Sequence, residues 1–233
     1  MKTKSLFLSA IMALLVGVGT ASANLLVNPG FESPGEETDH FGADQATLVD
    51  GWMNPAGTTT GETGVRGPIN MGNGQVVPHE GDWMGLLHVG NRSVQQTTEH
   101  VIQSGEWFKL SFWGSVTGGA NPRHHVQVYY LDESDERVPF YDEVLQPEDF
   151  HPEGKSFWTG RDENDVPPWI FFEIETDVVP AAAVGRNVGV WFTNSVYANN
   201  IVFDDVSLTA IPEPGTLVLL GLAGLLLLKR RRV

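Results

Sequence analysis

The chain has 233 residues, with 14 Lys and Arg against 29 Asp and Glu, seven Trp, twelve Phe and no Cys, for a formal net charge of −15. The absence of cysteine excludes disulfides, thiolate metal sites and Cys nucleophiles. The acidity excludes nucleic acid and anionic lipid as electrostatic partners and favours solubility outside the cell. The N-terminus reads as a processing signal. Lys2 and Lys4 form a positive n-region, Leu6 to Val18 an apolar h-region, and Ala21-Ser22-Ala23 a small-residue cleavage site. Residues 1–23 are therefore expected to be a signal peptide cut before Asn24.

The expected exported domain, residues 24–211, is long enough for one domain with its own core. It holds eight basic and 28 acidic residues, a formal charge of −20. Such a surface could attract divalent cations, but acidity alone names no ligand.

Within it the apolar pattern has period two. Trp107 to Trp113 sets Phe108, Leu110 and Phe112 on one face and Lys109 and Ser111 on the other. His125 to Leu131 sets Val126, Val128 and Tyr130 against Gln127 and Tyr129, and Asn187 to Thr193 sets Val188, Val190 and Phe192 against Gly189. Val202 to Leu208 is read with Val202, Val206 and Leu208 on one face. Leu25 to Val27, Met84 to Val89, Ser93 to Ile102 and Trp169 to Ile174 are further candidate strands. Alternation with β-branched and aromatic residues predicts half-buried strands. With no sustained 3.6-residue amphipathicity, the expected fold is an all-β sandwich of antiparallel strands.

Two stretches read as irregular. Thr58 to Gly74 is rich in Gly and Thr, and Asp132 to Val166 is acidic with Pro139, Pro147 and Pro152. The aromatics in the second, among them Phe140, Tyr141, Phe150 and Trp158, favour a packed excursion over disorder.

The tail, residues 212–233, reads Pro212-Glu213-Pro214, an apolar run from Gly215 to Leu228, and the basic end Lys229-Arg230-Arg231-Arg232. A helix over the 14 apolar residues would rise only about 21 Å, against a hydrocarbon core of about 30 Å. It can hold as a short transmembrane helix by snorkelling and local thinning, with the basic cluster on the cytoplasmic side. The three parts in this order resemble the PEP-CTERM sorting signal of Gram-negative bacteria, with Pro212, Glu213 and Pro214 as its sorting motif. The resemblance implies an exosortase, a membrane-embedded cysteine transpeptidase, as processing partner, and a link to exopolysaccharide. A plain C-terminal membrane anchor is the other reading of the same residues.

The exported domain resembles the galactose-binding-like, carbohydrate-binding-module jelly rolls. Asn24-Leu25-Leu26-Val27-Asn28-Pro29-Gly30-Phe31-Glu32 is similar to their first strand and turn, and Gly51-Trp52 to the Gly-Trp that follows. Ser93 to Thr97 with Gly105 to Trp113 is similar to their middle hairpin, and Phe203-Asp204-Asp205-Val206-Ser207-Leu208 to their closing strand. The resemblance implies first and last strands that lie close together, and a structural Ca²⁺ held there by Glu32, Asp204 and Asp205. Calcium wants six to eight oxygen ligands. The same carboxylates also read as turn or edge residues.

Sugar contact is the second expectation. Exposed Trp faces stack on pyranose rings, although Trp more often fills a core. Trp113, Tyr129 and Trp191 lie opposite Phe112, Val128 and Val190 and are the first candidates for a glycan platform. Histidine offers less: adjacent His124 and His125 point to opposite faces of a strand, and His79-Glu80 lacks the second His of a zincin helix. No serine elbow, phosphate loop or EF-hand spacing occurs, and no carboxylate pair is singled out by spacing. The sequence therefore reads as an exported, non-enzymatic protein of the envelope or extracellular matrix. Structural or adhesive work in exopolysaccharide or biofilm, with possible glycan contact, is its expected role. The alternative is a secreted, carboxylate-dependent glycan hydrolase or lyase.

Overall fold

The computed structural model describes residues 23–38, 49–55, 63–70, 75–88, 90, 92–118, 124–150, 169–194 and 199–212. The signal-peptide expectation up to residue 22, Trp158 with the rest of 151–168, and the tail from Glu213 onward lie outside the described residues.

The described strands are β1 (Gly64–Arg66), β2 (Ile69–Asn70), β3 (Gln75–Val76), β4 (Met84–Leu87), β5 (Arg92–Val101), β6 (Trp107–Gly118), β7 (His124–Leu131), β8 (Arg137–Leu145), β9 (Ile170–Glu175), β10 (Asn187–Asn194) and β11 (Asn199–Ile211). One sheet runs β1-β4-β11-β6-β9, a second β5-β10-β7-β8, and β2-β3 is a small hairpin. Every pairing is antiparallel. The result is a two-sheet antiparallel sandwich, as the period-two pattern predicts, and a jelly roll, as the resemblance implies. Apart from 3₁₀ turns at Pro147–Phe150 and Ala181–Ala183, the described residues hold no helix. None is long and apolar enough to cross a membrane; the apolar run Gly215 to Leu228 lies outside them.

The core forms where the inner faces meet. Phe108, Leu110 and Phe112 of β6 face Val126 and Val128 of β7 and Val188, Val190 and Phe192 of β10, all buried. Aromatic rings join the sheets: Phe192 stacks on Phe203 at 5.0 Å, and Phe31 meets Phe203 edge-on and Trp52 at 5.1 Å each. Burying such side chains contributes about 1.5–3 kcal/mol each, which replaces the missing disulfides as the source of cohesion.

Four expectations change. Leu25 to Val27 is not a ladder strand but a seam between the sheets. Leu25 N–H donates to Leu208 O at 2.8 Å on β11, while Val27 exchanges bonds with the Gln96 side chain on β5. The alternation of β11 breaks at a bulge between Asp204 and Ser207. Ile201 and Phe203 therefore enter the main core before it and Val206 and Leu208 after it, while Val202 turns to the other face. There it joins Val76, Met84 and Leu86, with Ile69 and Trp169 packed alongside.

The acidic stretch contains β8, a full edge strand paired with β7. Pro139 hid it, since proline removes a ladder donor, but an edge strand with a bulge tolerates one. The register shifts between Val128 and Tyr129, opposite Tyr141 and Pro139. The Gly- and Thr-rich stretch likewise contains β1 and β2, too short for alternation to reveal.

Candidate functional site

The first constellation grows from the bulge in β11. Val206 N–H donates to Pro29 O at 3.0 Å, and Asn24 bonds both Val206 O and Leu208 N, so the Asn28–Glu32 turn is laid against the bulge. Phe31 and Asp205 adopt left-handed backbones with φ of 59° and 50°, conformations held only where the surroundings over-determine them. Trp52 Nε1–H donates to Asn28 O at 3.0 Å, which fastens the Gly51-Trp52 motif to the same turn.

Glu32, Asp204 and Asp205 then address one short segment. Glu32 Oε1 accepts from Asp82 N–H at 3.1 Å and Trp83 N–H at 3.2 Å. Asp204 Oδ2 accepts from His79 N–H at 3.0 Å and Glu80 N–H at 3.3 Å, and Asp205 Oδ2 lies 2.8 Å from His79 Nδ1. A Cβ placed on Gly30 would lie 3.4 Å from Asp205 Oδ1, 3.7 Å from Asp204 Oδ1 and 4.0 Å from Glu32 Cγ, so the three acids ring one glycine. Asp204 has no exposure. Burial, then the Asp205 charge, push its carboxyl up to about 8, against the pull of the Asp205, Glu80 and His79 N–H groups. Two like carboxylates so placed are stabilised by a proton or a cation.

All three side chains offer oxygen, the donor type a hard cation takes, and the Asp204 carboxylate is fully buried. Calcium there would neutralise the paired aspartates and tie the first turn to the last strand. On the same segment, ligand atoms of His79, Glu80 and Asp205 lie within 4.8 Å of one another. His79 and Glu80, set aside in the sequence for want of a second zincin His, are joined by Asp205, which lies more than a hundred residues away and which only folding brings to them.

The second constellation is the outer face of the β5-β10-β7-β8 sheet. Register aligns Gln95, Trp191 and Gln127, and Gln127 with Asp142, in a row across all four strands. Gln127 Nε2–H donates to Asp142 Oδ2 at 3.0 Å, and His125 Nδ1 lies 3.4 Å from Asp142. The Arg137 guanidinium lies over the Trp191 ring, 4.2 Å from its centroid, and donates to Gln95 Oε1 at 2.9 Å. One row away Tyr129 bonds Thr97 Oγ1 at 2.7 Å.

The structure brings Tyr129 and Trp191 onto one face and leaves Trp113 on the other sheet. Tyr129, expected as an exposed platform, is wholly buried. Trp191 is half-buried beneath Arg137, with its Nε1–H buried and without an acceptor among the described residues. Trp113 pairs in register with Asp204, stacks on His79 at 4.0 Å and touches Phe171 at 5.2 Å, beside the acids rather than the row. Gln95, Gln127 and Arg137 escaped notice because alternation assigns faces but not neighbours, and Arg137 lay in the stretch read as irregular.

The comparisons with known proteins bear on the tail and on the fold. The PEP-CTERM protein-sorting motif matches at the C-terminus. Residues 210–233 carry that motif. The PEP-CTERM segment begins inside the last two residues of β11, includes Pro212, Glu213 and Pro214, and marks an exported protein sorted through the envelope. No curated protein matches the sequence.

A cyclase from Fischerella sp. TAU in complex with 4-(1H-indol-3-yl)butan-2-one superposes with a TM-score of 0.55 at 17% identity, over 82% of this chain and 98% of that one. Another crystal structure of a cyclase from Fischerella sp. TAU gives 0.54 at 18%, over 82% and 98%. The CBM22-1 xylan-binding domain of Paenibacillus barcinonensis Xyn10C gives 0.47 at 11%, over 84% and 99%. The two cyclase structures share the fold of this chain; identities this low say nothing of activity.

Proposed function

We propose that the exported domain contacts a glycan of the extracellular matrix through the outer face of the β5-β10-β7-β8 sheet. It acts there as a structural or adhesive component of exopolysaccharide or biofilm, not as an enzyme. The row Gln95–Trp191–Gln127–Asp142 carries this reading. Two amides and a carboxylate flanking an indole offer the mixture of hydroxyl partners and apolar surface that sugars need. At about 4.8 Å per strand, the row extends about 14 Å, room for a short stretch of polymer. Trp191, half-buried beneath the Arg137 guanidinium, is the centre of the row, Tyr129 its buried support, and Trp113 is assigned to the other sheet. The test is a glycan array probed with the processed protein. Binding that Trp191→Ala removes, with melting unchanged, supports the reading; release of shortened products would return the hydrolase or lyase alternative.

We infer further that an exosortase cuts near Pro212-Glu213-Pro214, after the apolar run has held the chain transiently in the inner membrane of a Gram-negative cell. The product is delivered to the outer surface or matrix. The order of motif, apolar run and basic end supports this.

We also infer a structural Ca²⁺ held by Glu32, Asp204 and Asp205. Support comes from the convergence of these carboxylates on residues 79–83 and around Gly30. Its test is the melting response to calcium and chelator given in the Discussion.

A further inference from the structure

We propose that the row on the four-stranded sheet takes an acidic glycan, with Arg137 as the receptor for a uronate carboxylate. This rests on the glycan reading above and names the class of sugar.

The first observation is a cation without an acid in an acidic protein. Lys109 pairs with Glu173 at 2.6 Å and Arg186 with Glu133 at 2.8 Å. Arg137 has no carboxylate partner among the described residues. Its protein contacts are the Gln95 amide oxygen and the rings of Trp191 and Tyr129. Its side chain starts on edge strand β8 and reaches over β7 and β10 to Gln95 on β5. Extending an arginine so far costs rotamer entropy of about 2 kcal/mol. Here stacking and one amide offset that cost, and no counter-ion helps.

The second observation is the donor capacity that remains. A guanidinium has five N–H donors in one plane and binds carboxylates edge-on, often through two parallel bonds. With its central carbon 4.2 Å from the Trp191 ring centroid, the Arg137 guanidinium spends one N–H on Gln95 Oε1 and keeps donors for a further acceptor. Beneath it, Trp191 Nε1–H is buried without an acceptor among the described residues, so the donors a ligand can reach are those of Arg137. The row therefore has donors in excess and wants a ligand rich in acceptor oxygens.

Nearby acids do not already fill that role. Asp142 is engaged by Gln127 and His125, Glu143 accepts from the Tyr141 hydroxyl, and Glu99 is exposed on β5. The domain's formal charge of −20 opposes an acidic polymer at long range. That repulsion is screened beyond about 8 Å at physiological salt, whereas a carboxylate in contact with Arg137 is not.

The test uses the processed protein and three uronate oligosaccharides of different backbone, each beside its carboxyl-reduced, neutral counterpart. At least one uronate should bind tenfold or more tightly than its neutral partner. Arg137→Gln should erase that preference while still binding the neutral sugar, and Arg137→Lys should keep only part of it. Melting curves identify any variant that fails to fold, and Gln95→Ala, which frees the guanidinium, gives an independent second variant expected to reduce the preference. If neutral members bind as tightly as uronates, the inference is overturned and the glycan reading stands. A preference that survives in Arg137→Gln overturns Arg137 as receptor. If no oligosaccharide on this panel or on the glycan array is bound, both readings fall together.

Discussion

The ring of Tyr129 lies across Gly189 on the neighbouring strand: a Cβ at Gly189 would fall 2.5 Å from the Tyr129 hydroxyl and 2.6 Å from Gln96 O. The hydroxyl is held on Thr97, and burial pushes the phenol up to about 12, against that hydrogen bond and the Arg137 charge, so it stays neutral. Only glycine leaves room for the ring there, 5.8 Å from the Arg137 guanidinium carbon. Gly189→Ala should cost about 1–3 kcal/mol through overpacking, because the Gln96 carbonyl is backbone and cannot turn aside. Thermal unfolding measures it. A wild-type midpoint would mean the ring has room the structure denies.

Calcium should raise the melting temperature and chelator lower it. An ion that binds only the folded chain adds about 2.7 kcal/mol at a hundredfold excess over Kd. Asp204→Ala should abolish the response, since it removes the fully buried carboxylate of the group. An identical melting curve in chelator and in millimolar calcium would dismiss the ion.

His124 sets an acid limit on stability. It is buried, neither ring nitrogen has a partner among the described residues, and Phe150 meets it edge-on at 5.4 Å. Burial, then the His125 charge, lower its pKa from 6.5 to about 3. Between those values the unfolded chain binds a proton here that the folded chain refuses. Stability from this group is complete above pH 6.5 and is lost toward pH 3, by about 1.4 kcal/mol per unit. Denaturant titrations at pH 7, 6, 5 and 4 should therefore show a shallower acid slope in His124→Leu than in wild type. Equal slopes would mean His124 accepts its proton in the folded state.

Maturation is read by intact mass. The processed protein should begin at Asn24 and lack the apolar run and the arginines. Recovery of Leu228 to Val233 in the mature form would leave a plain anchor.

Much of the sandwich was legible because alternation reports burial directly: Phe108, Leu110 and Phe112 read inward from the sequence and are inward. What alternation cannot report is where it slips. The bulge after Asp204 sent Val202 to the opposite face from Val206, and the bulge opposite Tyr129 concealed β8 behind Pro139. The acids Glu32, Asp204 and Asp205 were visible through a resemblance of motifs. Their shared segment at residues 79–83 was not, because only folding brings it against β11. Likewise Trp191 was visible as an outward aromatic, but the Arg137 that covers it comes from a strand the pattern hid.

The central claim is that the Trp191 row holds a matrix glycan, and the most direct measurement is sedimentation of the processed protein with extracellular polysaccharide from the producing cells. Wild type should pellet with the polymer, and Trp191→Ala should stay in the supernatant at the same melting temperature. Equal sedimentation of both proteins, or none by either, would contradict the account.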